Sequence, residues 1–148
     1  MKIVVDTNIL FSALLSPSGI ISDLIFNSSG AFDFFSPDTV DFELDKHWQK
    51  LIKLSKLTTE EVDELKYSLV KKIEILQLDY ISSDSWKKSI QLVEDIDEFD
   101  APFIALNMEI HGTLWTGDKK LIQGLKKKGY SEIIRTTELI SLRDELIK

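Results

Sequence analysis

The chain has 148 residues, of which 43% are hydrophobic and 29% charged, and its net charge is −7. This length and composition are typical of a globular protein with a buried core, so we expect a single domain over residues 1–148. The absence of cysteine excludes a disulfide framework and a thiolate metal site. The acidic balance argues against a broad basic face for nucleic acid, although clustered carboxylates can bind cations that reverse the local charge.

No apolar run in the sequence approaches the roughly 20 residues that a membrane-spanning helix needs. Met1 and Lys2 lead directly into an apolar segment, so we expect no signal peptide before the fold. The expected location is therefore the cytoplasm, with no membrane partner.

The first apolar segment, Ile3–Val5, predicts a buried strand that ends at Asp6, and residues 9–15 predict a helix. In an open parallel sheet, ligands bind outside the carboxyl ends of the strands, so Asp6 would stand where a site forms. The alternative, which this segment taken alone favours, is that Asp6, Thr7 or Asn8 caps the helix.

Helical and extended segments alternate along the rest of the chain. Apolar periodicity predicts helices over 20–27, 37–51, 59–73, 84–93, 101–110, 119–128 and 137–148. Strands are predicted over 32–35, 74–81, 113–116 and 132–135. This alternation implies an α/β fold with a parallel sheet and right-handed crossovers.

Two helix starts carry distinct signals. Ser36 as a cap, with Pro37 at the first position, predicts the start of the helix over 37–51. Thr58 and Glu61 predict a capping box at the start of the next helix.

The helix over 37–51 also carries two acidic residues near its apolar stripe. The stripe is formed by Val40, Leu44, Trp48 and Leu51. Asp41 and Glu43 fall at its opposite borders, so periodicity does not decide which of the two carboxylates points toward a site.

Further acidic residues occur where they could meet Asp6. Asp118 follows the strand over 113–116 as Asp6 follows the first, so both carboxylates would emerge on one sheet edge. Asp97 and Asp100 lie three residues apart at a helix start, where they can share a face. The segment 95–100 taken alone favours the alternative of a solvated acidic loop that caps a helix.

Carboxylates crowded on one edge repel each other and raise each other's pKa, so such a group favours a hard cation. Mg²⁺ and Mn²⁺ accept all-oxygen ligand sets. The sequence therefore predicts a divalent metal site that includes Asp6, Asp100 and Asp118.

These segments, taken in order, resemble the PIN-domain family, which includes the VapC-type toxin ribonucleases. The matching segments are Val5-Asp6-Thr7-Asn8, Glu43-Leu44, Asp97-x-x-Asp100 with Ala101–Leu106, and Trp115-Thr116-Gly117-Asp118 with Lys119-Lys120-Leu121. The resemblance implies a three-layer α/β/α PIN-like fold with a central, mostly parallel sheet. It also implies Mg²⁺- or Mn²⁺-dependent hydrolysis of phosphodiester bonds in single-stranded RNA.

The resemblance also implies roles for individual residues. The catalytic residues would be Asp6, Glu43, Asp100 and Asp118, of which Asp6, Asp100 and Asp118 hold the metal. Asp97 would be an auxiliary acid, and Asn8 and Thr116 would be auxiliary polar residues that orient the acids or water. The resemblance thereby selects Glu43 over Asp41. The chain departs from the family at 107–109, where small apolar residues are usual, and we expect this to affect packing or partner choice.

Basic residues follow Asp118 directly. Lys119 and Lys120 could steer a phosphate backbone toward the metal and are our candidates for substrate binding. The simpler interpretation is a solvated helix face that continues to Lys126–Lys128, where positive charge favours the helix end.

The histidines and tryptophans are expected to be structural. His47, near the core-facing stripe, and His111, at a helix end, are poor candidates for the acid–base pair of a metal-free ribonuclease. The tryptophans lie in apolar patterns and are predicted to pack in the core rather than to stack on bases: Trp48, Trp86 and Trp115.

The family resemblance favours the toxin of a toxin–antitoxin pair, with a small antitoxin protein as partner and a homodimer as the assembly. The alternatives are a catalytically inactive PIN-like binding or scaffold module, and a housekeeping RNA-processing nuclease without an antitoxin. A haloacid-dehalogenase-like phosphatase is excluded, because it needs a second aspartate where this chain has Asn8. The presence of every expected acid favours an enzyme over a scaffold.

Overall fold

A five-stranded sheet forms the centre of the fold in the computed structural model, which describes residues 1–147. The strands run in the spatial order β3-β2-β1-β4-β5, and all four strand pairs are parallel. Their bounds are β1 Lys2–Val5, β2 Asp33–Pro37, β3 Ile73–Leu76, β4 Thr113–Trp115 and β5 Ile133–Ile134. The predicted α/β class with a central parallel sheet is confirmed.

Helices cover both faces of the sheet. Within residues 1–147 they are α1 Thr7–Leu15, α2 Ile20–Phe26, α3 Thr39–Lys46, α4 Trp48–Ser55, α5 Thr59–Val70, α6 Ser83–Val93, α7 Ala101–Ile110, α8 Lys119–Lys127 and α9 Thr136–Ile147. Lys148, the last residue of the predicted C-terminal helix, lies outside the described residues.

Strand β1 separates two hydrophobic cores because successive side chains point to opposite faces of a sheet. Ile3 and Val5 pack in a core with side chains from α1 to α5 and α9. Val4, on the other face, packs in a second core with side chains from α6, α7 and α8. The three-layer α/β/α arrangement expected from the sequence follows from this alternation.

Two predictions about the segment before Glu43 are wrong. Ser36 and Pro37 belong to β2 and do not start a helix. The Ser36 hydroxyl donates to the carbonyl of Val5 at 2.7 Å, across the strand pair, so it supports the sheet edge instead of capping. The next helix, α3, begins at Thr39.

The single helix predicted over 37–51 is instead two helices, separated at His47. The backbone N–H of His47 donates to the carbonyl of Leu44, three residues back, which tightens the end of α3. The break lets Leu44 and Leu51 both bury completely in the core beside α1. Periodicity does not detect it, because the apolar spacing continues across it.

Two helix starts agree with the structure, and two predicted ends are corrected. Thr58 and Glu61 form the predicted capping box at the start of α5, and Pro102 lies in the first turn of α7. The helix predicted over 59–73 ends at Val70, and Ile73 begins β3. The strand predicted over 74–81 ends at Leu76, and a short 3₁₀ turn, Leu78–Tyr80, follows it.

No single helix within residues 1–147 has the length and apolar composition needed to cross a membrane. Helices α1 and α2 satisfy that criterion only when they are joined, and they are bent by 109° at the break between them.

The capping box gives a stability prediction. We expect Thr58→Ala to lower the free energy of unfolding by about 1 kcal/mol, because the backbone N–H of Glu61 loses its acceptor. Urea denaturation measures the change. Thr59→Ala, at the neighbouring exposed position, is the control and should shift stability by less than about 0.5 kcal/mol. Equal effects of the two substitutions would contradict the role of the capping box.

Candidate active site

A pocket of about 390 Å³ opens at the carboxyl edge of the sheet. Strands β1 and β4 are neighbours, with Val5 paired to Trp115, so the residues that follow them emerge side by side. Helix α3 and the 3₁₀ turn Glu98–Asp100 complete the walls. The lining residues are Asp6, Thr7, Asn8, Thr39, Phe42, Glu43, Lys46, His47, Asp97, Glu98, Phe99, Asp100, Pro102 and Asp118.

The pocket therefore brings together every acid that the family resemblance selects. Glu43 lines it, whereas Asp41, the alternative candidate on α3, is exposed outside the lining. Asn8 also lines the pocket, and Thr116 lies buried directly behind Asp6. The catalytic roles of these residues stay predictions.

Asp6 is buried, with 6% of its surface exposed. The hydroxyl of Thr116 donates to Oδ2 of Asp6 at 2.8 Å. Within the described chain, the side chain of Asp6 makes no capping hydrogen bond to α1, so capping does not account for it. Burial raises the pKa of Asp6, the charges of Glu43 and Asp118 add to the increase, and the Thr116 hydrogen bond opposes it.

Asp118 does cap a helix. Its Oδ1 accepts the backbone N–H of Leu121 at 3.1 Å, at the start of α8. Its own backbone N–H donates to Oγ1 of Thr116 at 3.2 Å. Thr116 thus links the two strand-end aspartates, because its hydroxyl accepts from the backbone of Asp118 and donates to the carboxylate of Asp6.

Asp100, like Asp6, has a raised pKa. Its Oδ2 is buried and has no hydrogen-bond partner among the described residues. Burial raises the pKa of Asp100 to about 7, and the negative charges of Asp6, Asp97, Asp118 and Glu43 contribute to this increase. In a solvated acidic loop, the alternative for this segment, water would hydrogen-bond to the carboxylate oxygens. The buried Oδ2 of Asp100 does not fit that alternative.

The acidic segment is fixed to the body of the protein on both sides of Asp97. Oδ1 of Asp97 accepts the backbone N–H of Phe99 at 3.0 Å, which caps the 3₁₀ turn. Ile96 packs against Gly124 of α8 so closely that any Cβ there would overlap its side chain. Pro102 then fits in the first turn of α7, where no helical hydrogen bond is lost.

The donor set of this pocket fits a hard divalent cation. None of its five predicted site acids forms a salt bridge within residues 1–147. Asp6, Asp100 and Asp118 offer carboxylate oxygens, and Oδ2 of Asp100 lacks any other partner. In the part of the chain that the structure describes, no three acidic or histidine side chains converge as a closed metal site. Metal binding would therefore require these side chains to turn toward one another.

Sequence reasoning gave no role in the site to several residues of the pocket wall, among them Phe42, Lys46, His47 and Phe99. His47 lies beside the core-facing stripe, at the break between α3 and α4. Its side chain is exposed, lines the pocket and meets the ring of Phe11 edge-on at 6.5 Å. Two features of the sequence could have indicated the aromatic wall residues. Phe42 lies off the apolar stripe of α3, and Phe99 lies inside an acidic segment.

The remaining candidate residues lie outside the pocket. Lys119 and Lys120 are exposed in the first turn of α8 and do not line it, so their role in substrate binding stays a prediction. His111 is exposed at the end of α7. The prediction that the tryptophans pack against the cores is confirmed for Trp48, Trp86 and Trp115.

The unusual segment 107–109 contributes to packing. Asn107 is buried, and its Nδ2 donates to the hydroxyl of Tyr130 at 2.6 Å and to the carbonyl of Glu132 at 3.1 Å. These bonds join α7 to the segment before β5. Glu109 accepts hydrogen bonds from Ser82 and Ser85 at the start of α6.

The raised pKa of Asp100 gives a pH prediction. Between about pH 4, near the ordinary pKa of an aspartate, and pH 7, the folded chain holds a proton that the unfolded chain has lost, so the free energy of unfolding falls as pH rises through this range. We expect the Tm measured in EDTA to be higher at pH 5.5 than at pH 8, and Asp100→Asn to reduce this difference. Asp41→Asn is the matched control and should retain it. An unchanged pH dependence in Asp100→Asn would contradict the assignment.

Comparison with known proteins agrees with this architecture. The crystal structure of PAE2754 from Pyrobaculum aerophilum is similar with a TM-score of 0.67, at 12% sequence identity, over 97% of this chain and 90% of that chain. At this identity the likeness shows the fold alone. No curated protein matches the sequence significantly. Residues 4–143 match the model of the PIN domain, whose members are generally nucleases. The chain therefore belongs to the PIN-domain family.

Proposed function

We propose that this protein is a Mg²⁺- or Mn²⁺-dependent endoribonuclease that hydrolyses phosphodiester bonds of single-stranded RNA. The observation that carries the proposal is the buried, partnerless Oδ2 of Asp100 in a pocket lined by four further predicted acids. A carboxylate in this state lacks the donor or cation that buried charges require. Membership of the PIN-domain family supports hydrolysis of nucleic acid, and the preference for RNA comes from the family resemblance.

Hydrolysis of a phosphodiester requires water to attack an anion and negative charge to be stabilised as the bond breaks. A divalent cation supplies the positive charge and lowers the pKa of water. Asp6, Asp100 and Asp118 would hold it, and Glu43 would contribute directly or through water. Asn8, on the pocket wall, offers an amide that can orient water.

Thr116 is a positioning residue in this proposal. Its hydroxyl holds one oxygen of Asp6 and accepts the N–H of Asp118, so it fixes the relative placement of two proposed ligands. Because it is fully buried at the end of β4, it does not contact substrate itself.

Two wider proposals remain. The toxin assignment rests on the family resemblance alone, and the single-domain proposal rests on length and composition. The first is that the protein is a cytoplasmic toxin of a toxin–antitoxin pair, acts as a homodimer and is inhibited by a small antitoxin. The second is that residues 1–148 form a single domain. A short reading frame next to this gene would support the toxin proposal over a housekeeping nuclease.

The proposed reaction gives a mutational prediction. We expect Asp6→Asn and Asp118→Asn each to reduce Mn²⁺-dependent cleavage of single-stranded RNA by about a hundredfold or more, because each removes a charge from the site. Asparagine can still accept from Thr116 and can still cap α8, so both variants should fold. Gel analysis of a labelled oligonucleotide measures the cleavage.

Asp41→Asn, which changes an exposed acid of α3, should cleave like the wild type. Cleavage in EDTA at the same rate by the wild type, Asp6→Asn and Asp118→Asn would refute the metal-dependent mechanism.

Metal binding can also be measured without cleavage. At a Mn²⁺ concentration about a hundredfold above its Kd, the folded state gains about 2.7 kcal/mol. This gain corresponds to an increase in Tm of roughly 5–10 °C for a chain of this size. We expect the increase in the wild type and its loss in Asp6→Asn. The absence of any shift in the wild type would favour the scaffold alternative.

A further inference from the structure

Two large aromatic side chains lie exposed at the pocket of the acids. Phe42 is 73% exposed and Phe99 is 72% exposed, and both line the pocket. Among the described residues, neither ring belongs to a hydrophobic core or packs against another aromatic ring. Packing within the fold therefore does not explain why these two positions carry large apolar side chains.

Both rings are held on ordered supports beside the acids. Phe42 precedes Glu43 on α3, and Phe99 precedes Asp100 in the 3₁₀ turn. The backbone of Phe99 is fixed by the hydrogen bond from its N–H to Asp97. The two rings thus approach the pocket from separate elements of the wall, each next to a proposed catalytic carboxylate.

Positive charge is also present in this wall. Lys46 lies four residues after Phe42 on α3, where residues share a helix face, and it lines the pocket. It forms no salt bridge within residues 1–147. The pocket therefore combines acids for a cation, an available ammonium group and two exposed aromatic rings.

We propose that Phe42 and Phe99 stack against unpaired nucleobases next to the scissile phosphate, while Lys46 contacts the phosphate backbone. Aromatic stacking is tolerant of base identity, because every base has a π-face. Bases in a duplex are not free to stack on a protein ring, so these residues select single-stranded substrate. This inference rests on the proposed nuclease function and assigns its substrate-binding surface.

A second protein could in principle cover the same rings. The mixed character of the pocket favours nucleic acid, because a phosphodiester with its base presents an anion and an aromatic face together. The anion matches the ammonium of Lys46, and the aromatic face of the base matches the two rings. The acids remain available to hold a cation.

The test is equilibrium binding in the Asp6→Asn background, where cleavage is not expected. Fluorescence anisotropy compares a labelled, unstructured single-stranded RNA with an abasic ribose-phosphate chain of the same length. We expect Phe42→Ala and Phe99→Ala each to weaken binding of the RNA by about tenfold. Neither should change binding of the abasic chain. Phe42→Trp and Phe99→Trp, which keep a ring, should retain affinity for the RNA.

Tyr67→Ala is the matched control, because Tyr67 is an aromatic residue of α5 that is 65% exposed outside the pocket. It should leave both affinities unchanged. Circular dichroism and Tm verify that each variant is folded.

The inference is overturned if the alanine variants bind the RNA normally, or if they weaken both chains equally. It is also overturned if they change only the oligomeric state in light scattering, which would identify the rings as a protein interface. Base-dependent binding without Mn²⁺-dependent cleavage by the wild type would refute the proposed hydrolysis but leave the stacking surface intact. Mn²⁺-dependent cleavage by the wild type, with no change in RNA binding when either ring is removed, would refute the stacking surface but leave the proposed hydrolysis intact.

Discussion

Repulsion between carboxylates is the constraint that organises this structure. Two adjacent parallel strands deliver Asp6 and Asp118 to one edge of the sheet, and the 3₁₀ turn before α7 adds Asp100. Burial and like charge together raise the pKa of Asp100 to about 7, so this grouping does not stabilise the fold. The surrounding elements must hold it in place, and the two hydrophobic cores on either side of β1 supply that stability.

The hydroxyl of Thr116 shows how this arrangement is maintained. It accepts the N–H of Asp118 within the segment that follows β4, and it donates to the carboxylate of Asp6 after β1, so the two strand ends cannot separate without losing the bond to Asp6. Valine would have nearly the same shape but would leave a buried carboxylate oxygen and a backbone N–H without this partner. A threonine at this position thus connects the register of β4 with the geometry of the pocket.

Much of the fold and the acidic set could be predicted from the sequence, because the signals are local. Apolar segments followed by aspartate mark strands whose ends meet at one edge, and the capping box at Thr58 marks a helix start. The break at His47 could not be predicted, because the apolar spacing continues through it. Ser36 looked like a cap, since its use as a donor to β1 depends on a strand pairing 31 residues distant.

The same limit applies to the candidate site. Helical periodicity places both candidate acids of α3, Asp41 and Glu43, at the borders of its apolar stripe. Only tertiary packing decides that Glu43 faces the pocket and Asp41 faces solvent. Phe42 and Phe99 could not be assigned to the site for a related reason, because a large aromatic residue in a sequence most simply predicts a core position. Their exposure becomes informative only when the pocket beside them is known.

The net charge of −7 is more compatible with RNA binding through base stacking, which we propose, than with RNA binding through many phosphate contacts. A protein that holds RNA through many phosphate contacts gains affinity from released counterions, and this gain scales with the number of cations in contact. The pocket wall offers the ammonium of Lys46 amid a cluster of acids, so that gain is small. Stacking on Phe42 and Phe99 depends little on net charge. In the binding mode that we propose, the bases therefore contribute to recognition together with Lys46 and a divalent cation held by the acids.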